Sequence, residues 1–221
     1  VDATRWEGWW YEGAGIFGNV WLHVVPQIHF APYGIYVETT EMEQGNFGTD
    51  IPAVYSSGES RWKLKTSTTL ENETEESREL KISYRLCKGE KETAAWDEKV
   101  LLNSWGNVKI ESETELINPL LWDVEHPELY QMEVRLLTAE GEVIDHQEMN
   151  IGFRTVSFDA ERGFFLNHKP LKLFGMCNHQ DFGGLGVAVP DAMYEYRIRR
   201  LKEMGCNAYR VAHGMAKHAL I

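Results

Sequence analysis

Between residues 27 and 152 apolar and polar side chains alternate with a period of two in a series of short runs. Gly34-Ile35-Tyr36-Val37-Glu38-Thr39 is the first and Trp62-Lys63-Leu64-Lys65-Thr66 the second. Glu79-Leu80-Lys81-Ile82-Ser83-Tyr84-Arg85-Leu86, Val108-Lys109-Ile110-Glu111 and Tyr130-Gln131-Met132-Glu133-Val134-Arg135-Leu136 repeat the pattern. Glu142-Val143-Ile144-Asp145 follows the turn Ala139-Glu140-Gly141. A period of two with one polar face predicts antiparallel sheets, each with one side in water. So many strands without a helical stretch predict a two-sheet sandwich of the immunoglobulin type. Upstream, Val20-Trp21-Leu22-His23-Val24 alternates in the same way and predicts a strand ending at Pro26.

From residue 153 onward the period changes. Leu171-Lys172-Leu173-Phe174-Gly175-Met176 predicts a short, mostly apolar strand. Pro190 and Asp191 signal a helix start, with Asp191 as the N-cap. Tyr194, Ile198 and Leu201 then form one apolar stripe, with Arg197, Arg199, Arg200 and Lys202 largely off it. Gly205 ends the helix, and Asn207-Ala208-Tyr209-Arg210-Val211 predicts a second buried strand. Strand, helix, strand is a βαβ unit and starts a parallel sheet. One such unit cannot cover both of its faces, so the parallel domain reads as begun and unfinished.

Composition narrows the function. The chain has 221 residues, with 34 acidic and 22 basic side chains and a formal net charge of -12. Nucleic-acid binding rests on clustered Lys and Arg, so this balance argues against it. The apolar runs are too short for a membrane-spanning helix. Cys87, Cys177 and Cys206 match neither a disulfide framework nor a zinc pattern, so any sandwich is held by packing. The acidic run Leu70-Glu71-Asn72-Glu73-Thr74-Glu75-Glu76 reads as a solvated loop or strand end, and its sequon at Asn72 as a chance match. The chain opens at Val1 without Met or a charged-then-apolar leader, which leaves its compartment, cytoplasm or periplasm, open.

Separated segments, in one order, carry a resemblance to glycoside hydrolase family 2 and its β-galactosidase-like members. Gly8-Trp9-Trp10-Tyr11-Glu12-Gly13 and the following residues to Leu22 are similar to the last strands of that family's N-terminal sugar-binding sandwich. Asn118-Pro119-Leu120-Leu121-Trp122-Asp123 through Tyr130 resembles the signature of its immunoglobulin-like domain. Gly152-Phe153-Arg154-Thr155-Val156, with Phe165-Leu166-Asn167-His168-Lys169-Pro170-Leu171, resembles the junction into its catalytic barrel. Gly175-Met176-Cys177-Asn178-His179-Gln180-Asp181 is similar to the end of the first barrel strand, and Asn207-Ala208-Tyr209-Arg210 to the second. Residue by residue, Trp122 also fits a large core or interdomain plug, Phe153 a packed side chain and Arg154 the partner of a carboxylate.

The resemblance implies a mainly β chain in three parts. Residues 1–26 would close a sugar-binding jelly roll, 27–152 would form the sandwich, and 153–221 would begin a (β/α)8 barrel. In such a barrel the active site lies at the C-terminal ends of the strands. By resemblance His179 and His213 contact substrate hydroxyls, and Arg210 holds the carboxylate of the catalytic nucleophile. A guanidinium suits a bidentate clamp and neutral imidazoles suit hydroxyls. Both catalytic glutamates of the family, and its usual magnesium ligands, would lie beyond Ile221. Glu111, Glu113 and Glu115, alternating on one strand face, read instead as solvated. After His213 the family's proline is missing, because the chain continues Gly214-Met215-Ala216-Lys217.

The implied activity is hydrolysis of terminal β-D-galactosides with retention, with this chain inactive alone. Its partner is then a β-galactoside or related carbohydrate, and uncovered apolar surface favours self-association. Phe17 and the Trp-rich opening lean toward the galactosidase branch. Eight tryptophans support a second reading, a stand-alone carbohydrate-binding module whose rings stack on sugars. A third is a spacer that orients neighbouring domains.

Overall fold

A computed structural model of the chain describes residues 15–16, 18–42, 59–213 and 216–220. Tryptophans 6, 9 and 10 of the opening cluster, and Phe17, lie outside the described residues. The chain divides into two compact units, one spanning Val24–Pro170 and the other holding the residues from Leu171 onward.

Among its described residues the first unit holds ten strands: β1 (Ile28–Glu41), β2 (Arg61–Asn72), β3 (Arg78–Lys88), β4 (Lys91–Leu102), β5 (Asn107–Ile117), β6 (Tyr130–Thr138), β7 (Val143–Ile151), β8 (Val156–Asp159), β9 (Gly163–Leu166) and β10 (Lys169–Pro170). Two antiparallel sheets, ordered β1-β2-β5 and β4-β3-β6-β7, make the immunoglobulin-like sandwich. Alternation becomes burial directly. Along β2 the inward positions Trp62, Leu64, Thr66, Thr68 and Leu70 are all buried, while Lys63 and Lys65 reach outward to Glu113 and Glu111. The facing sheet supplies Leu80, Ile82, Tyr84, Leu86, Met132, Val134 and Leu136. Each large apolar side chain so enclosed contributes about 1.5–3 kcal/mol. At one end of the core the Phe153 ring meets the edges of Trp62 and Tyr130 at 5.6 and 5.1 Å between centroids.

Alternation along the sequence does not single out β4. Its inward positions include the small Ala94 and the charged Glu98, which blur the contrast between faces. Glu98 is accommodated there because Ser112 donates to its carboxylate at 2.6 Å, and Trp96 Nε1 donates to Ser112 Oγ at 3.0 Å. The same sandwich places Glu111, Glu113 and Glu115 on the exposed face of β5, as expected.

Beyond β7 the chain forms a small antiparallel meander ordered β10-β9-β8. Asn167 and His168 join β9 to β10 with φ of 50° and 63°, the two left-handed residues that a tight hairpin turn of this hand needs. Asn167 also accepts from Thr155 N at 3.0 Å and donates to the Trp122 carbonyl at 3.0 Å. Among the described residues Arg154 forms no ion pair with a carboxylate. Its guanidinium lies 4.8 Å from the Trp122 ring centroid, since a weakly hydrated planar cation gains from an aromatic face.

The strand expected over residues 20–24 does not form. Trp21, Leu22 and Val24 are 75, 89 and 87% exposed, and no strand among the described residues pairs with the segment to satisfy its backbone groups. Asn72, in the chance sequon, is enclosed rather than solvated. The residue is 3% exposed, and its side-chain amide donates to the carbonyls of Glu76 and Asn103.

In the second unit β11 (Gly175–Asn178) and β12 (Ala208–Val211) pair in parallel, with α1 (Asp191–Glu203) between them in sequence. This is the βαβ unit. Its first strand starts at Gly175 rather than Leu171, and a Cβ at 175 would stand 2.5 Å from the Ala208 carbonyl oxygen. Only glycine lets the two backbones come this close. Pro190, not Asp191, occupies the N-cap position, with no side-chain cap hydrogen bond. Asp191 becomes the first helical residue, where its charge favours the positive end of the helix dipole. Gly205, with φ of 85°, ends the helix: its N–H reaches Lys202 O and the Cys206 N–H reaches Leu201 O.

Candidate active-site face of the parallel strand pair

Both strands of the parallel pair run in one direction, so their C-terminal ends share one edge. β11 ends at Asn178 and is followed at once by His179; β12 ends at Val211, and His213 lies two residues on. The Ala212 N–H donates to the Asn178 carbonyl at 3.0 Å, which extends the parallel pairing one step past the strand ends. The two imidazoles stack there, with centroids 5.0 Å apart and planes 26° from parallel. His213 has φ of 59°, a left-handed conformation that turns the chain sharply after β12. His179 is half-buried and His213 exposed.

Arg210 stands opposite Cys177 in the ladder, and its Nη1 donates to Cys177 Sγ at 2.8 Å. Both residues are exposed. A guanidinium has five donors, so this contact leaves Arg210 with others to offer. The three residues singled out in the sequence, His179, Arg210 and His213, therefore belong to one end of one strand pair. Stacked imidazoles and an exposed guanidinium can hydrogen-bond neutral hydroxyls and clamp a carboxylate.

The loop after β11 is tied to the helix by a residue that the sequence pattern placed off the apolar stripe. Arg197 donates through Nη1 to the His179 carbonyl at 2.9 Å and through Nη2 to the Asp181 carbonyl at 2.8 Å. Nη1 also reaches Tyr209 Oη at 3.3 Å, and the guanidinium carbon lies 4.7 Å from the Phe182 ring centroid. Tyr194 is 1% exposed and donates to the Gln180 carbonyl at 3.2 Å; burial pushes its hydroxyl pKa up. Arg197 follows Tyr194 by three positions and precedes Leu201 by four. That spacing puts it on the buried face, and it is the signal that a charge count alone hides.

Among the described residues no group of three or more His, Cys, Asp or Glu side chains is arranged to hold a metal ion. No helix among them is long and apolar enough to cross a membrane. The three cysteines are free. Of the tryptophans in the sandwich, Trp62 is sealed in the core, Trp96 packs flat on Tyr84 at 5.0 Å between centroids, and Trp105 is 69% exposed.

Residues 50–154 match the family described as Glycosyl hydrolases family 2. The chain is 33% identical over 205 residues to Beta-galactosidase BoGH2A of Bacteroides ovatus, an alignment that covers 92% of this chain and 22% of that protein. It is 30% identical over 204 residues to a putative beta-glucuronidase of Formosa agariphila, covering 92% of this chain and 18% of the relative. The chain thus spans about a fifth of the length of these curated relatives. A glycosyl hydrolase family 2 member from Bacteroides cellulosilyticus superposes on 89% of this chain with a TM-score of 0.74 and 30% identity, and this chain covers 23% of it. Bacteroides uniformis beta-glucuronidase 2, covalently bound to cyclophellitol-6-carboxylate aziridine, covers 89% of this chain with a TM-score of 0.76 at 27% identity, and this chain covers 23% of it. Sandwich, parallel strand pair and sequence all agree with these relatives, and the chain belongs to glycosyl hydrolases family 2.

Proposed function

We propose that this chain is part of a retaining glycoside hydrolase that cleaves terminal β-D-galactosides. In this reading the sandwich orients the neighbouring domains, and the unit from Leu171 onward supplies the first two strands of a (β/α)8 barrel. His179 and His213 bind the hydroxyls of the terminal sugar. Arg210 holds the nucleophile's carboxylate in a bidentate clamp, which fixes its rotamer and keeps it ionised. The observation that carries this reading is the stack of His179 on His213 at the C-terminal ends of parallel strands, with Arg210 two residues before Ala212 on the same strand end. The galactoside assignment draws its support from the 33% identity to Beta-galactosidase BoGH2A.

Retention needs two carboxylates about 5–5.5 Å apart, one acid/base and one nucleophile. We assign neither to this chain; both come from later strands of the barrel. The family's magnesium ligands belong to those later segments as well.

The test compares this chain with the longer polypeptide that carries it, on chromogenic β-galactosides and β-glucuronides. The longer protein should release the chromophore from the galactoside with retained anomeric configuration, and the 221-residue chain should release none. Turnover by the chain alone defeats the assignment of both carboxylates to later strands. Preference for the glucuronide defeats the galactoside assignment.

A further inference from the structure

The sugar-contacting role proposed for His179 requires a fixed ring, yet His179 stands just past the end of β11, where ladder hydrogen bonds stop. Building on that reading of His179 as a sugar-binding residue, we propose that Arg197 is the positioning residue that fixes it.

Loop carbonyls that follow a parallel strand have no ladder partner and must find donors elsewhere. Arg197 supplies them from α1. Side chains of a helix lean toward its N-terminus, so the guanidinium at 197 covers the turn that faces the incoming loop. It spans two carbonyls that lie two residues apart, His179 O at 2.9 Å and Asp181 O at 2.8 Å, with two different nitrogens. It touches Tyr209 Oη on β12 at 3.3 Å and stands over the Phe182 ring. One planar group thereby joins the loop after the first strand, the helix and the second strand. Its hold on the His179 backbone sets where the imidazole can stand against His213. Tyr194 adds a parallel tie at Gln180 O, between the two carbonyls held by Arg197. Lysine cannot replace this arrangement, because a single ammonium centre does not bridge two separated carbonyls in a fixed plane.

The experiment uses the enzyme that carries this chain, with Arg197→Met, Arg197→Lys and the surface control Arg199→Met. Arg199 pairs with the exposed Glu195 one turn away. Arg197→Met should lower kcat/KM about 100-fold, with a raised KM, the scale expected when a binding group is misplaced by about 1 Å. Arg197→Lys should fall in the same direction and Arg199→Met should not change. Independently of turnover, diethylpyrocarbonate labelling read peptide by peptide should speed several-fold at His179 in both Arg197 variants. The exposed sandwich residue His126 should label at the wild-type rate. Unchanged kcat/KM with unchanged His179 labelling overturns the proposal. Should Arg197→Met fail to fold, Arg197→Lys decides by the same two readouts. Should the parent enzyme cleave no glycoside, the proposed function fails, and the labelling alone still judges Arg197.

Discussion

The hydroxyl of Thr68 on one sheet lies 2.9 Å from the hydroxyl of Tyr84 on the other, in the closed centre of the sandwich. Both residues are fully buried. The two hydroxyls pair with each other, and Thr66 stands beside Tyr84 as a second, lesser partner. Removing one partner leaves a buried polar group short of a hydrogen bond, at about 1–3 kcal/mol, whereas replacing both with apolar groups of like shape is close to neutral. Thr68→Val and Tyr84→Phe should therefore each destabilise this chain in denaturant unfolding, and the double variant should recover most of the loss. Additive losses would show that the pair is not coupled.

Burial also pushes the Tyr84 hydroxyl pKa up from its ordinary 10.0, against the opposing hydrogen bonds of Thr68 and Thr66. A folded pKa above the unfolded one means that the folded chain holds its proton longer. The stabilisation is complete below pH 10 and is lost as pH rises through the folded value. Alkaline unfolding should thus begin later in Tyr84→Phe than its lowered neutral-pH stability suggests, which a pair of pH-dependent melting series checks.

Asn72 makes a further prediction, in which sequence pattern and structure part. Its side chain donates to Glu76 O and Asn103 O at 2.9 Å each and accepts from Thr74 N and Thr74 Oγ1 at 2.9 and 2.7 Å. The amide nitrogen that would carry a glycan has both hydrogens engaged inside the fold. Expression in a glycosylating host should leave Asn72 unmodified in intact-mass measurements. Asn72→Ala should cost about 1–3 kcal/mol, because several backbone groups lose their partner together.

Asp159 closes the turn between β8 and β9. Its carboxylate accepts from Arg162 Nη2 at 2.8 Å and from Arg162 Nε at 3.2 Å, and from the backbone of Arg162 and Glu161. The Arg162 guanidinium is the largest cause of a pKa lowered from 3.8 to about 2. The sign is that of a depressed carboxyl: its contribution to stability is present above pH 3.8 and is lost as pH falls toward 2. Carboxyl-carbon NMR of this chain should show Asp159 titrating near 2, and Arg162→Gln should move it part of the way back to 3.8. A wild-type midpoint near 3.8 would remove the pairing.

The period-two alternation determined the sandwich, because a strand with one wet face and one dry face has only one way to bury its apolar side. Trp62, Leu64, Ile82, Val134 and Leu136 all went where their parity sent them. The strand–helix–strand order likewise determined a parallel pair, and strand ends determine where His179, Arg210 and His213 gather. Parity is silent where the inward residues are small or charged, which is why β4, with Ala94 and Glu98 facing in, stayed hidden. It misleads where no described strand pairs with the segment, as at residues 20–24. The partners of single charged or polar groups were decided by tertiary structure alone. Arg154 lies over the Trp122 face, Arg197 turned inward to two loop carbonyls, and Asn72 was enclosed by a turn. A pattern along the chain encodes which side of an element is dry, whereas a hydrogen bond depends on atoms that distant segments bring within about 3 Å.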